Sequence, residues 1–218
     1  MKENKGMTRL ISLQVPHETL KQDLDNFRQK ALDFGASLAQ IVPAEWAEVD
    51  ERVRLKCAIS LCPNYGRNIY CPPHGFEPEF MRKALSRYSW AILFALDVIP
   101  PEHFADPTLH HELGIKWMKK TIEIAGRVET LAFSNGYYLA LGLCQASCLE
   151  TLCNQERCRL LDGSKCPYPL KARPSIEGLG IDVFALVTKA GWDIYPIYRS
   201  IDPKSVPRAL SVGIVFIC

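Results

Sequence analysis

The sequence predicts an α/β or α+β fold: a single domain with a mixed sheet, flanking helices and two cysteine-rich metal-binding loops. Three observations predict it. Short apolar runs of strand length alternate with longer segments of helical period. The 218 residues are 48% apolar, so the chain can bury an ordinary core and metal need not be its only source of stability. The cysteines gather in two places, residues 57–73 and 144–168, with most of the apolar pattern between them and no low-complexity linker to mark a boundary. One domain over residues 1–218 is therefore expected.

Residues 19–34 place Leu20, Leu24, Phe27 and Leu32 among charges, which predicts a surface helix stopped by Gly35. A second helix is expected over 77–88, with Pro78 near its start and Glu77 and Glu79 in its first turn. Residues 90–98 read as a buried strand, and Pro100-Pro101 breaks the chain. A long helix over 108–133 ends at the Asn135-Gly136 turn. A strand over 137–143 then delivers Cys144 at its end. Asp182 caps a helix over 183–190 that Gly191 stops, and strands are expected at 193–198 and 212–217.

One thiol spacing occurs twice. Cys57, Cys62 and Cys71 form C-x4-C-x8-C-P, and Cys153, Cys158 and Cys166 form C-x4-C-x7-C-P. Cys144 and Cys148 lie just upstream of the second triad. A four-iron cubane wants four thiolates, so three plus one, twice over, accounts for eight of the nine cysteines as ligands of two 4Fe-4S clusters. Cys62, Cys71 and Cys166 are each followed by proline, which turns the chain away after a ligand. Cysteine before proline also closes the bacterial ferredoxin run, although neither triad has that tight spacing. Zinc is the competing metal. Both x4 gaps fall within its range, but the paired C-x2-C knuckles of structural zinc sites are missing.

A disulfide framework is the bland alternative. An odd count of nine cysteines, the length of the chain and a start without signal-peptide character argue against it. No run approaches the 18 apolar residues of a membrane span, and a cytoplasmic location with reduced thiols is expected. A net charge of +2 and the lack of a basic-aromatic motif give no sign of nucleic-acid binding. Locally, Arg52, Arg54, Lys56 and Arg67 surround the first triad, and Arg157, Arg159, Lys165, Lys171 and Arg173 the second. Such cations would stabilise an anionic cluster from beyond its ligands, with Arg67 and Arg173 the candidates. Ordinary solvated surface charge is the competing reading.

The other candidates are weaker. His74 reads first as a hydrogen-bonded loop histidine and second as a ligand or proton donor. His110-His111 starts the long helix, and neighbours on a helix do not share a face, so the pair is a poor chelate. Asn64-Tyr65-Gly66 reads as a turn, with Tyr65 and Tyr70 placed to shield a cluster from water. Residues 173–177 look like a helix entry capped by Ser175. The chain has no Walker motif, no dinucleotide fingerprint, no nucleophile elbow and no C-x3-C-x2-C run. Chemistry on a substrate has no recognisable apparatus.

Residues 49–73, V-D-E-R-V-R-L-K-C-A-I-S-L-C-P-N-Y-G-R-N-I-Y-C-P-P, together with residues 166–183, C-P-Y-P-L-K-A-R-P-S-I-E-G-L-G-I-D-V, resemble the DUF2284 family of predicted metal-binding proteins. The resemblance covers most of the chain. It implies a cytoplasmic, cysteine-rich metalloprotein of an anaerobic bacterium or archaeon, and it supplies no reaction. Family members carry a tighter C-x2-C-x2-C before the C-x7-C-P segment. Here Cys148-x4-Cys153-x4-Cys158 departs from that pattern, so the ligand assignment of Cys144 and Cys148 stays open. Three functions remain: an iron-sulfur electron carrier serving a redox partner protein, a zinc-stabilised binding module, and a metal- or corrinoid-handling accessory.

Overall fold

The computed structural model describes residues 8–59, 62–197 and 202–218. Helix α1 (His17–Asp33) is amphipathic. It buries Leu24, Phe27 and Ala31 along one face and ends before Gly35, whose φ of +106° favours glycine. Strand β1 (Leu38–Pro43) follows as an edge strand whose residues are mostly half-buried. Helix α2 (Glu51–Ile59) comes next, its start capped by Asp50, which accepts a hydrogen bond from the Arg52 amide at 2.8 Å.

Helix α3 (Pro78–Leu85) has proline in its first turn and buries Met81 and Leu85. Strand β2 (Trp90–Val98) has the expected bounds and is buried almost throughout. The single long helix expected over 108–133 is a succession of turns. Short α4 (Glu102–Ala105) and α5 (Pro107–Leu109) precede a π-helical turn at His110–Gly114, and α6 (Ile115–Ser134) completes it.

Strand β3 (Leu141–Cys144) starts later than expected. Tyr137 is instead drawn into a turn, where its carbonyl accepts from the Ala140 amide and its hydroxyl donates to buried Asp23 at 2.8 Å. Asp182 caps α7 (Val183–Lys189) through the Ala185 amide at 3.0 Å, and Gly191 follows at φ +75°. No strand forms over 193–197, and Tyr198 lies outside the described residues. Pro196 cannot donate to a ladder there. Strand β4 (Ala209–Phe216) is buried at every position.

The sheet runs β1-β2-β4-β3, and all three pairings are antiparallel, where a mixed sheet was expected. Each strand runs opposite to its neighbour, so no parallel crossover unit is formed. The only parallel pairing among the described residues is a single bridge between Cys144 and Ser175. Of the two expected classes, this is α+β.

Alternation along β2 divides the core. Ile92, Phe94 and Leu96 pack beneath α1 and α6, while Ala91, Leu93 and Ala95 face α3, α7 and the 174–183 segment. At the centre Phe94 opposes Gly213 in register, and a Cβ on that glycine would lie 2.2 Å from the ring.

Both cysteine loops are brought to the end of β3 by backbone pairing. The Cys144 amide donates to the Pro174 carbonyl, and the Ile176 amide donates to the Cys144 carbonyl. The same segment reaches the base of α2, where the Asp50 amide donates to the Gly180 carbonyl and Val49 bridges Ile181. The sheet edge, the 174–181 turn and the helix bearing Cys57 thus share one hydrogen-bonded frame. Among the described residues, no helix is long and apolar enough to cross a membrane.

Candidate metal centre

All nine cysteines are free thiols, and three of them, Cys71, Cys144 and Cys148, are buried. Cys57 projects from the last turn of α2, and Cys62 lies just past the helix, its amide donating to the Cys57 carbonyl. Of these two neighbouring thiols Cys62 is the more acidic, and the amides of Asn64 and Tyr65 also favour its thiolate. Cys71 is pushed up to about 12, mostly by burial and then by the charge of Cys62. These three thiols line one cavity of about 310 Å³.

A second group forms around the π-helical turn Leu149–Cys153 and the 3-10 turn Arg159–Asp162. Burial pushes the Cys148 thiol up to about 11, and the thiolates of Cys153, Cys158 and Cys166 add to the rise. Cys153 is raised in turn, first by burial and then by Cys166 and Cys158. Four thiols therefore stand within electrostatic reach of one another. The Tyr168 amide donates to Cys166 Sγ at 3.4 Å, and Asn68 Nδ2 donates to Cys148 Sγ at 3.7 Å.

Cys144 is the most deeply buried of the thiols. It is fully buried, its Sγ lies 3.9 Å from the carbonyls of Ala146 and Pro174, and its thiol is raised by burial first and then by Cys148 and Glu177. Its backbone does the visible work by anchoring the 174–176 segment. Cys218 closes β4's apolar end, is raised by burial alone and has no thiol neighbour.

The two loops are joined by direct contacts. Arg67 donates through Nε to the Glu156 carbonyl, while its own carbonyl accepts from the Cys158 amide at 2.8 Å. Asn64 Nδ2 donates to Glu150 at 3.3 Å. Asn68, buried, donates to Ser147 Oγ at 2.7 Å and accepts from the Tyr70 amide at 3.1 Å. Cys71 and Cys148, one from each group, are close enough for Cys148 to raise Cys71.

Tyr70, half-buried, is raised by burial and then by Cys148, Cys166 and Cys158, so it stands near the second group. Tyr65 lines the cavity of the first group. His74 Nε2 meets the Gly66 carbonyl at 3.3 Å, as a loop histidine does. His110 lies in the π-helical turn against Phe104, outside both thiol groups.

The cations are largely committed elsewhere. Arg173 pairs with Glu129 at 2.9 Å and donates to the carbonyls of Leu170 and Ala172, so its hydrogen bonds do not go to sulfur. Arg52, Arg54 and Arg157 pair with Asp50, Glu77 and Asp162. Arg67 serves as a strut between the loops.

Glu177 is the residue the sequence reading missed. It lines the cavity of the first thiol group, and it also lines a neighbouring cavity of about 590 Å³ with Cys57 and Cys62. The residue as a whole is half-buried. Desolvation pushes it up to about 7, with the Cys62 charge adding to the rise. Ser175 Oγ donates to it at 3.1 Å and accepts from the Gly178 amide at 3.2 Å. The available signal was the Ser-Ile-Glu-Gly run, which reads equally as a turn.

Among the described residues, no three His, Cys, Asp or Glu side chains are drawn close enough to hold a single metal ion.

No curated relative and no solved structure matches the chain. A family model described as a predicted metal-binding protein matches residues 40–216, which takes in both thiol groups and all of the sheet except the first two residues of β1. With that span covered, the chain belongs to the DUF2284 family of predicted metal-binding proteins.

Proposed function

We propose that the chain is a cytoplasmic iron-sulfur protein, folded as one unit over residues 1–218, that holds two 4Fe-4S clusters and exchanges single electrons with a redox partner protein. The observation that carries this reading is the gathering of Cys148, Cys153, Cys158 and Cys166 beside Cys57, Cys62 and Cys71 at one end of the sheet. The donor set fits. Seven soft thiols in two adjacent groups suit iron-sulfur chemistry. Bound there, the clusters would supply one-electron redox chemistry.

The chain's own residues supply the setting. Burial makes bare thiolates at Cys71 and Cys148 costly, so metal binding displaces their protons and stabilises the loops that hold them. The amides of Asn64, Tyr65 and Tyr168 and the side chain of Asn68 offer N–H donors to sulfur, which stabilise the reduced, more negative state. Tyr70 keeps water from the second group. Asn68 and Ser147 lie between the groups and hold Cys148 near Cys71.

The test is anaerobic purification followed by absorption and EPR spectroscopy. The expected protein is brown, contains iron and acid-labile sulfide, and gives an EPR signal on reduction with dithionite. A colourless protein containing zinc and no sulfide would instead be a zinc-stabilised binding module.

A further inference from the structure

The two thiol groups differ in the charge around them. Residues 157–173 hold five cations, Arg157, Arg159, Lys165, Lys171 and Arg173, and one acid, Asp162. The net charge of the whole chain is only +2, so the rest of it is net acidic and the basic charge is gathered on the second cysteine loop. Arg157 and Arg173 are neutralised by Asp162 and Glu129. Arg159, Lys165 and Lys171 are exposed and pair with no acid among the described residues. Around the first group the charges are matched instead. Arg52 and Arg54 pair with Asp50 and Glu77, and the cavity beside Cys57 and Cys62 sets Asp50 and Asp182 against Arg52 and Lys56.

The second group also lies near the surface. Cys166 is half-buried in a run, residues 162–171, whose other members are all exposed. Beside this loop a groove of about 660 Å³ runs along α6. Phe34, Ile122, Leu152 and Leu170 give it apolar walls, and Arg127 and Lys171 stand in it against one acid, Glu123. Leu152 belongs to the turn that ends at Cys153, and Leu170, just past Cys166, is 87% exposed. Arg127 is held over the Phe34 ring, 3.6 Å from its centre, and pairs with no acid among the described residues. Exposed apolar surface rimmed by charge marks an interaction site, and unmatched cations select a partner of the opposite sign.

Resting on the iron-sulfur reading, we propose that the groove between α6 and the second cysteine loop is the docking surface for an acidic electron-transfer protein, which exchanges single electrons with the centre held by Cys148, Cys153, Cys158 and Cys166. One electron passes between the partner's redox centre and this one, and no bond forms or breaks. Arg159, Lys165 and Lys171 steer the acidic partner to this face, and Arg127 with Leu170 holds it there. The charge decides the class of partner, and the position beside Cys153 and Cys166 decides which of the two centres it meets. The first group, behind matched charges, exchanges electrons only through the second.

The probe is reduced flavodoxin, a small acidic flavin protein, mixed anaerobically with the purified, iron-loaded chain. Its oxidation is followed by absorbance in a stopped-flow instrument. Electrostatic steering raises association rates by roughly 10- to 1,000-fold and is screened by salt. The second-order rate constant should therefore fall at least tenfold between about 0.02 and about 0.3 M salt. At low salt, Lys165→Glu/Lys171→Glu should be at least tenfold slower than the wild type. Lys83→Glu/Lys204→Glu makes the same change in net charge at two exposed lysines outside the groove, and should stay within about twofold. Leu170→Ser should weaken docking without changing the salt dependence, which keeps the proposal testable if the double variant loads less iron. A wild-type rate that does not depend on salt, equal slowing in the two double variants, or no electron exchange with flavodoxin in protein that dithionite reduces would overturn the docking surface and leave the iron-sulfur reading standing. Binding of the wild type to anionic phospholipid vesicles, lost in Lys165→Glu/Lys171→Glu, would overturn it in favour of a membrane surface. Zinc without sulfide would overturn both.

Discussion

Asn68→Ala removes the side chain that spans the two cysteine loops. The amide is buried and makes one strong donor contact to Ser147 at 2.7 Å, a weaker one to Cys148 at 3.7 Å, and one acceptor contact to the Tyr70 amide at 3.1 Å. A net hydrogen bond contributes about 1 kcal/mol, and a stranded buried donor costs about 1–3 kcal/mol. Losing the Ser147 bond and stranding the Tyr70 amide therefore destabilises the site by roughly 3 kcal/mol. For a chain of this size, that lowers Tm by roughly 6–12 °C. Thermal unfolding followed by circular dichroism on anaerobically purified protein measures it. Asn68→Asp keeps the acceptor for Tyr70 but sets a carboxylate beside Cys148. It should unfold nearer the wild type yet lose metal faster to a chelator. An Asn68→Ala protein melting within about 2 °C of the wild type would refute the idea that this residue couples the loops.

Cys218→Ser should retain full iron content and unchanged reduced-state EPR signals, because Cys218 is raised by burial alone and has no thiol neighbour. Cys158→Ser should lose one cluster, and equal iron loss in the two variants would show that the C-terminus supplies a ligand. Gly213→Ala forces a methyl group into the Phe94 ring at the centre of the sheet and should destabilise by about 1–3 kcal/mol in urea titrations, as overpacked cores do. The double variant with Phe94→Leu should recover part of that loss, and no recovery would mean that the clash is not the cause.

Elements that bury an apolar stripe or run were legible in the sequence, because burial is what writes the pattern. Strand β2 matches to the residue, and α7 begins where Asp182 caps it. Helix α2 left no such trace. None of its residues is buried, so it has no apolar period, and the cysteine spacing that crosses its end read as loop. Strand β1 is a short, half-buried edge whose pairing with β2 comes from a long-range partner. The expected strand over 193–198 is rich in Ile and Tyr but contains Pro196 and found no partner over residues 193–197.

At the site, the two triads were legible as groups because spacing within a loop is local. Where the two upstream cysteines lie in the fold was not. Cys144 and Cys148 are four residues apart, yet β3 ends at Cys144 and packs its thiol into the interior, while the following turn carries Cys148 to the second group. Glu177 was missed for the same reason, since only the pairing of residues 174–176 with Cys144 brings it to the first triad.

The central claim, two four-iron clusters in one chain, is tested most directly by counting iron and acid-labile sulfide per chain in protein purified without oxygen. Two cubanes require about eight of each. A reproducible count near four would mean one cluster shared between the loops, and zinc in place of iron would contradict the account outright.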